Sequence, residues 1–373
     1  MSHAARDLAV RCVADACRVA RQVQQDLDAV RAIVKSDQSP VTVADYAVQA
    51  AVNLALMADD PNVRVVGEER ADELREPENR AVLDAVVKAV RSVQPGATDT
   101  AVLTAIDRGD HDGSGDHYWT LDPVDGTKGF LRGQQYAVAL ALLDGDGPIV
   151  GALGCPNLPQ DHDAALDVAD ASGTMYAAIR GRGAQEYAAG AADAAPRAIH
   201  AAGTAGAGDG RPNPLGTTGV PDPLGGDGGS GGGSGVLSTA ATLKSIRVCE
   251  SVESGHSDQS ASARILKQLG ADANPVRLDS QCKYAVVARG QADAYLRLPT
   301  RPGYVEKIWD HAAGMLVATE AGATVSDVTG QALDFSHGKR LERNRGVICA
   351  RADVHERLIA AIRDLGLDQP LTG

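Results

Sequence analysis

The chain has 373 residues, of which 44% are apolar and only 3% aromatic, and its formal net charge of −13 gives a pI of about 5.1. This length exceeds a typical single core, so one large or two fused domains are expected. The acidic charge argues against broad electrostatic binding to nucleic acid or to an anionic membrane, and no apolar run reaches the roughly 18 residues of a membrane span. An anionic substrate would therefore have to be held by bound cations rather than by a basic patch.

The N-terminus contains no apolar signal core, and the six cysteines show neither a C-x-x-C motif nor zinc spacing. We therefore expect a cytoplasmic protein with reduced, mostly buried thiols. A plastid or mitochondrial location stays open as an alternative if a transit peptide is missing from this chain.

The first half of the chain combines helical patterns with short apolar strands. Apolar residues at every third or fourth position predict a long amphipathic helix over residues 4–33. Thr42 and Asp45 have the spacing of a capping box, and a second helix is predicted over residues 47–57. Further predictions are strands at 62–66, 136–143, 149–153 and 175–179, a helix at 78–93 and a loop at 94–117. Because a tight turn joins two of these strands, the sheet is expected to be antiparallel.

Residues 188–236 are rich in Ala, Gly, Pro and Ser and end in a Gly-Ser run. Such a segment buries too little apolar surface to order itself, so it is predicted to be a flexible insertion. It separates an N-terminal α+β domain (1–187) from a C-terminal α/β domain (237–373), in which strands and helices alternate. The predicted strands are 245–249, 276–278, 294–298, 323–326 and 346–350, and the helices end at residues 269, 290, 322 and 365.

The most informative stretch is Trp119-Thr-Leu-Asp-Pro-Val-Asp-Gly-Thr-Lys-Gly-Phe130. It predicts a buried strand that ends in a stiff bend, because proline presets φ, and the bend carries Asp122, Asp125 and the Val124 carbonyl. Mg²⁺ prefers oxygen ligands of this kind in rigid octahedral geometry. The N–H groups of Gly126-Thr127 would face an anion such as phosphate if they open a helix. The alternative is an acidic surface turn, since Asp, Pro and Gly are common in turns.

Carboxylates at two other element ends extend this pattern. Glu68 and Glu69 follow a short predicted strand, and Asp310 opens a predicted helix that it could also simply cap. Together with Asp122 and Asp125 they supply the ligands of a two-metal phosphoryl-transfer site. In such a site one ion lowers the pKa of a water molecule and the other neutralises the leaving oxygen.

These motifs resemble the signature of the lithium-sensitive, Mg²⁺-dependent phosphatases of the inositol monophosphatase superfamily. The stretches that carry the resemblance are Gly67-Glu68-Glu69, Asp122-Pro-Val-Asp-Gly-Thr127 and Trp309-Asp-His-Ala-Ala-Gly314. Within the superfamily the chain is more similar to the 3′(2′),5′-bisphosphate nucleotidases, and it matches them almost throughout except at 70–115 and 188–236. The narrower match rests on Ser39-Pro-Val-Thr-x-x-Asp45-Tyr, Asp125-Gly-Thr-Lys-Gly-Phe-Leu-Arg-Gly133, Gly154-Cys-Pro-Asn157, Leu278-Asp-Ser-Gln-x-Lys-Tyr284, Tyr295-Leu-Arg-Leu-Pro299 and Glu306-Lys-Ile-Trp-Asp-His311.

The resemblance implies a fold of mixed α+β and α/β class. This is the layered αβαβα sandwich of the inositol monophosphatase/fructose-1,6-bisphosphatase type, with the active site between two fused domains. It also implies two or three Mg²⁺ ions per site. The implied ligands are Glu68, Asp122 and the Val124 carbonyl for one ion, and Asp122, Asp125 and Asp310 for a second.

The resemblance assigns the remaining roles as well. Asp45 and Thr127 would help to activate the attacking water, with Asp45 near a third ion, and Glu69 would lie in the outer shell. The implied nucleotide-binding residues are Gly126, Thr127, His256, Ser280, Lys283, Arg297 and Asp310.

The residues themselves give weaker support for these substrate contacts. His256 follows a glycine at a predicted helix start, where an anion is favoured. Lys283 and Arg297 lie beside predicted element ends and could pair with a second phosphate, although each alone would be interpreted as a solvated charge. The resemblance adds one further indication: simple inositol monophosphatases tend to lack a basic residue after the motif threonine, so Lys128 and Arg132 favour a doubly phosphorylated substrate.

The expected activity is therefore Mg²⁺-dependent removal of the 3′-phosphate of adenosine 3′,5′-bisphosphate, giving AMP, together with action on its sulfated form. The expected partner is this small nucleotide, with no nucleic acid and no membrane, and the protein would be a monomer or a homodimer. One alternative is an inositol polyphosphate 1-phosphatase-like activity, and another is a non-catalytic nucleotide or redox sensor on the same fold. None of the expected metal ligands is replaced, which argues against the sensor.

Overall fold

The computed structural model describes residues 2–27, 41–166, 168–193, 195–201, 245–271 and 274–371. A seven-stranded sheet belongs to the first half of the chain, and its strands follow one another in sequence order. β1 runs parallel to β2, and the other neighbouring strands are antiparallel. The strands are β1 (Val65–Gly67), β2 (Tyr118–Asp125), β3 (Ala137–Asp144), β4 (Gly147–Cys155), β5 (Thr174–Ile179), β6 (Ala184–Ala188) and β7 (Arg197–Ile199).

A second sheet of five strands belongs to the second half, in the order β11-β12-β10-β8-β9. β8 is parallel to both of its neighbours, whereas β12 is antiparallel to β10 and β11. The strands are β8 (Val248–Glu250), β9 (Val276–Arg277), β10 (Ala294–Arg297), β11 (Ala323–Ser326) and β12 (Val347–Arg351).

The α-helices of the first half are α1 (Ser2–Gln25), α2 (Val41–Asp59), α3 (Arg80–Arg91), α4 (Asp99–Asp107) and α5 (Thr127–Leu131). Those of the second half are α6 (Gln259–Gln268), α7 (Cys282–Ala288), α8 (Ala312–Glu320) and α9 (Ala352–Asp364). Short 3₁₀ turns cover Glu73–Arg75, Pro77–Asn79 and Ile308–Asp310. None of the helices in the described ranges is long and apolar enough to cross a membrane.

Alternating side chains sort the two sheets into layers. On β3, Val138 and Leu140 join the core under α1 and α2, whereas Ala139 faces a second core that contains α7 and α8. Small residues let α8 lie close to the sheet, since a Cβ added to Gly151 would be 3.0 Å from the Ala313 carbonyl oxygen. Helices α6 and α9 pack on the outer face of the second sheet. The order of layers is αβαβα, which confirms the predicted fold.

Two local predictions are wrong. Helix α2 begins at Val41, so Thr42 and Asp45 lie inside it and do not form a capping box at its start. Residues 94–117 were predicted as a loop but contain α4, whose N-cap Thr98 accepts a hydrogen bond from the Ala101 N–H at 3.2 Å. Only three apolar side chains of α4 are buried at helical spacing. An apolar pattern this short is easily overlooked in the sequence.

The predicted insertion lies only partly within the described residues. Its first part contains β7, which pairs with β6 and adds a strand that was not predicted. Residues 202–236 lie outside the described ranges, as do residues 28–33 of the predicted first helix. The division into domains at 187 and 237 stays a prediction. The two halves of the chain nevertheless both contribute to the second core, in which α7 and α8 pack between the two sheets.

Candidate active site

Carboxylates meet where β1 and β2 end. The strands are parallel and pair Gly67 with Leu121, which places Glu68 beside Asp122. Between Asp122 and Asp125 the register to β3 shifts by a bulge, which takes residues 123–124 out of the ladder. Bulges of this kind bend a strand and redirect its side chains, and they recur beside active sites. The predicted bend is therefore present, with Asp122 buried and Asp125 half-buried.

The turn after β1 is held by Gln49, a fully buried side chain on α2. Its Nε2 donates to the carbonyl oxygens of Glu69 and Ile106, both at 2.8 Å, and its Oε1 accepts from the Glu69 N–H at 3.0 Å. A Cβ added to Gly67 would lie 2.7 Å from this amide, so a larger residue there would push Gln49 away from these hydrogen bonds. Sequence reasoning missed Gln49, whose signal was a polar residue four positions after Asp45 on a buried helix face.

Asp310 reaches the site on the 3₁₀ turn Ile308–Asp310, beside a buried ion-pair network. Arg297 donates to both oxygens of Glu306, from Nε at 2.9 Å and from Nη2 at 2.7 Å. His311 contacts Glu306 at 3.3 Å and the Tyr284 hydroxyl at 2.8 Å. Asp310 lies 3.9 Å from Arg297, whose guanidinium is thus committed chiefly to Glu306.

The electrostatics of the cluster favour cation binding. Burial raises the pKa of Asp122 well above its usual range, and repulsion from Glu68, Asp125 and Asp310 adds to it. Solvent reaches Glu68, yet partial burial together with Asp310, Glu69 and Asp125 raises its pKa to about 8. The buried Oδ1 of Asp122 has no hydrogen-bond partner. A divalent cation would relieve this repulsion and supply the missing partner, so these oxygen donors fit Mg²⁺.

A second grouping of possible ligands is less suitable. Single ligand atoms of Glu306, Asp310 and His311 lie within 4.8 Å of one another. Glu306 is already bound by Arg297 and His311, and both ring nitrogens of His311 have partners. This grouping is better described as an ion-pair network that supports Asp310.

Asp45 and Thr127 flank the carboxylate cluster. Asp45 is buried, and burial together with Glu69 and Glu68 raises its pKa well above the usual range of a carboxyl group. Thr127 is exposed as the first residue of α5, after Gly126 at φ 85°. The prediction that Gly126 and Thr127 open a helix is confirmed, although α5 is only five residues long.

Two of the predicted substrate contacts are buried rather than solvated. Lys283 donates from Nζ to the carbonyl oxygens of Leu278 at 3.1 Å and Ser280 at 2.7 Å. Burial lowers its pKa, with Arg297 acting in the same direction. The side chain of Arg297 is only 13% exposed. Neither residue is the solvated charge that each alone would suggest.

His256 faces the same group of residues from an exposed turn. Its pKa is lowered by burial of the ring and by Arg297 and Lys283, and is raised in part by Asp125. Its expected place at a helix start is wrong, because Asp258 is the N-cap of α6 and accepts from two N–H groups at 3.0 Å. The ring is therefore placed by the turn at residues 253–256 and not by a helix N-terminus.

Lys128 and Arg132 are paired with acidic side chains. Lys128 Nζ lies 2.8 Å and Arg132 Nη1 2.9 Å from the carboxylate of Glu253, and Arg132 also contacts Asp279. These pairs join α5 to the loop that carries His256. The two residues expected to favour a second phosphate are thus present at the site, with Glu253 as their partner.

The six cysteines are free and buried, as expected. Burial raises the pKa of Cys12 and of Cys17 to about 12 and that of Cys155 well above its usual value. Because the thiolate is the reactive form, these groups are poor sensors of external oxidants. The redox-sensor alternative gains no support.

The raised pKa values lead to a testable pH dependence. Folded Glu68 holds its proton up to about pH 8, whereas an unfolded glutamate releases it near pH 4.5, so the metal-free protein loses stability as pH rises through this window. Because Mg²⁺ competes with that proton, we expect the Mg²⁺-induced rise in Tm to be larger at about pH 8 than at about pH 6. Scanning calorimetry with and without Mg²⁺ measures this, and Glu68→Gln should flatten the difference. An equal shift at both pH values would contradict it.

A comparison with known sequences gives a consistent result. The model of the inositol monophosphatase family matches residues 2–202 and 232–367. The 3′(2′),5′-bisphosphate nucleotidase of Schizosaccharomyces pombe is 37% identical over 355 residues, covering 92% of this chain and 89% of the relative. The 3′(2′),5′-bisphosphate nucleotidase of Oryza sativa is 36% identical over 371 residues, covering 95% and 92%.

Solved structures share the fold at lower identity. An inositol monophosphatase from Anabaena (Nostoc) sp. PCC 7120 aligns with a TM-score of 0.55 at 17% identity, covering 97% of this chain and 96% of that one. Mycobacterium tuberculosis SuhB aligns with a TM-score of 0.54 at 20% identity, covering 99% of both chains. At these identities the likeness concerns the layered architecture alone.

Proposed function

The chain belongs to the inositol monophosphatase family, and we propose that it removes the 3′-phosphate of adenosine 3′,5′-bisphosphate in a Mg²⁺-dependent reaction. The products would be AMP and inorganic phosphate, and the sulfated form of the nucleotide would also be a substrate. The observation that carries the proposal is the convergence of Glu68, Asp122, Asp125 and Asp310 around an unpartnered oxygen of Asp122, where the neighbouring carboxylates raise the pKa values of Glu68 and Asp122. The printed names of the relatives direct the choice of substrate.

In this proposal one ion is held by Glu68, Asp122 and the Val124 carbonyl, and a second by Asp122, Asp125 and Asp310. When bound, these ions would supply a water molecule of lowered pKa and neutralise the charge on the leaving oxygen. The donors suit this task, because mutually repelling carboxylates around the buried Asp122 gain most from a hard cation. A third ion near Asp45 is part of the same proposal.

The protein's own groups position the water and take its proton. Asp45 is the proposed general base, because burial and the neighbouring Glu69 and Glu68 make its carboxylate bind a proton more readily. Thr127 would orient the water from the open start of α5. Glu69 serves in the outer shell, where its backbone is fixed by Gln49.

The substrate would enter on the cationic side of the site. Lys283, Arg297 and His256 lie close enough for each to affect the pKa of another, and Gly126 packs against Ser280 at its edge. The ion pairs of Glu253 with Lys128 and Arg132 lie at the surface, so each contributes only about 0–1 kcal/mol to stability. A second phosphate could therefore replace Glu253 at Lys128 and Arg132 at small cost. This is the proposed reason for preferring a bisphosphate.

A comparison of substrates tests the proposal. With Mg²⁺ present, we expect kcat/KM for adenosine 3′,5′-bisphosphate to exceed the values for inositol 1-phosphate and inositol 1,4-bisphosphate by orders of magnitude. If an inositol phosphate is preferred, the metal ligands stand but the substrate roles of His256, Lys283 and Arg297 fall. No phosphate release from any of the three would favour a non-catalytic nucleotide-binding protein.

A further inference from the structure

Gln281 connects two proposed metal ligands that come from different halves of the chain. It lies directly before α7 and is only 2% exposed. Its backbone N–H donates to Oδ2 of Asp125 at 2.5 Å. Its side chain donates from Nε2 to the Trp309 carbonyl oxygen at 2.9 Å and accepts at Oε1 from the Gly314 N–H at 3.0 Å. One residue thus contacts the bend of β2 and both ends of the segment that carries Asp310.

The junction is closely fitted on every side. Ser280, directly before Gln281, has φ 67°, a left-handed conformation that residues other than glycine seldom adopt. Across from it, a Cβ added to Gly126 would lie 2.9 Å from the Ser280 Cβ. A Cβ added to Gly314 would lie 2.9 Å from the Gln281 Oε1 and 2.5 Å from the Tyr284 ring. Such close contacts leave little room for the backbone at Gly126 and Gly314 to shift relative to Ser280 and Gln281.

We propose that Gln281 is a positioning residue, which sets the separation between Asp125 and Asp310 and so the geometry of the second metal site. The inference rests on the proposed metal assignment. The carbonyl that Gln281 holds belongs to Trp309, the residue before Asp310, so any shift of this amide moves the Asp310 backbone. Mg²⁺ requires near-ideal octahedral geometry. Mutation of a group that orients a metal ligand typically lowers metal affinity or activity 10–100-fold.

The test is Gln281→Met, which keeps the volume and the backbone N–H to Asp125 but removes both side-chain hydrogen bonds. Mn²⁺ serves as the probe, because its binding can be followed by calorimetry and electron paramagnetic resonance without substrate. We expect one of the two Mn²⁺ sites, the one assigned to Asp122, Asp125 and Asp310, to lose about tenfold or more in affinity while the other changes little. For phosphate release, kcat should fall with little change in KM, and excess metal ion should restore part of it.

Asn344→Leu is the matched control. Asn344 is 3% exposed and has a similar pattern, donating to the Ala332 carbonyl oxygen at 2.9 Å and accepting from the Asp334 N–H at 2.7 Å, with a longer contact to Asp327 at 3.4 Å. Its loss should lower Tm without changing Mn²⁺ binding. If Gln281→Met likewise lowers Tm and leaves Mn²⁺ binding unchanged, Gln281 is merely structural and the inference is wrong. If the wild-type protein binds no Mn²⁺, the metal assignment itself fails. If the wild-type protein binds Mn²⁺ at two sites but hydrolyses the nucleotide only weakly, the proposed substrate is wrong and the metal assignment stands.

Discussion

Asp122→Asn is expected to abolish phosphate release while leaving the metal-free fold at least as stable as the wild type. Asp122 is the one side chain proposed to contact both ions, so its loss removes several kcal/mol of transition-state stabilisation, a decrease of about a thousandfold or more. The same substitution is expected to raise the stability of the metal-free protein rather than lower it. The buried carboxylate is repelled by Glu68, Asp125 and Asp310 and has an unpartnered oxygen, and a neutral amide removes the repulsion.

The two readouts separate loss of chemistry from loss of structure. Phosphate release with saturating Mg²⁺ should be near background, whereas the Tm of the metal-free variant at about pH 8 should equal or exceed that of the wild type. The raised folded-state pKa of Asp122 means that its charge destabilises the metal-free protein more as pH rises, so the gain should be smaller in acid. A strongly lowered Tm would mean that the carboxylate stabilises the fold.

Glu306→Ala is expected to cost the most stability of the changes near the site. Glu306 is 5% exposed, and although burial alone would raise its pKa, Arg297 and His311 hold the pKa at about 2. Removing one partner of a buried ion pair costs about 3–5 kcal/mol, because the other charge stays buried without compensation. The free Arg297 would then compete for Asp310, 3.9 Å away, so activity should fall as well.

Urea unfolding and phosphate release measure these effects, with Glu186→Ala as the matched control. Glu186 is 6% exposed, its pKa is also held at about 2, and it lies on β6, four strands away from β2. It pairs with His162, Arg197 and the fully buried Arg289. Both variants should lose similar unfolding free energy, but only Glu306→Ala should lose activity per folded molecule. Equal activities would show that the Arg297–Glu306 pair serves the fold alone.

Much of the architecture follows from local patterns in the sequence. Two apolar runs predict β3 and β4, and the tight turn between them fixes their antiparallel pairing. Proline and glycine around Asp122 and Asp125 predict the bend in which β2 ends. These elements are predictable because their cause lies within a few neighbouring residues. The helix α4 was missed because it has only two turns and a single capping threonine.

The supporting contacts of the site depend on partners far apart in the chain. Gln49 holds the Glu69 backbone, Gln281 reaches Asp125 across 156 positions, and Glu253 pairs with Lys128 across 125. A glutamine or glutamate in a helix or loop has no local pattern that reveals such a partner. Only the folded sandwich, which brings the two halves together, shows what these side chains do.

The most direct test identifies the products of adenosine 3′,5′-bisphosphate by chromatography, with Mg²⁺ and then with a chelator. We expect adenosine 5′-phosphate and one phosphate per turnover in Mg²⁺, and no reaction in the chelator or with Asp122→Asn. Adenosine 3′-phosphate as the product would mean that the wrong phosphate faces the carboxylates. An unchanged rate in the chelator would contradict the central claim that these carboxylates act through bound metal ions.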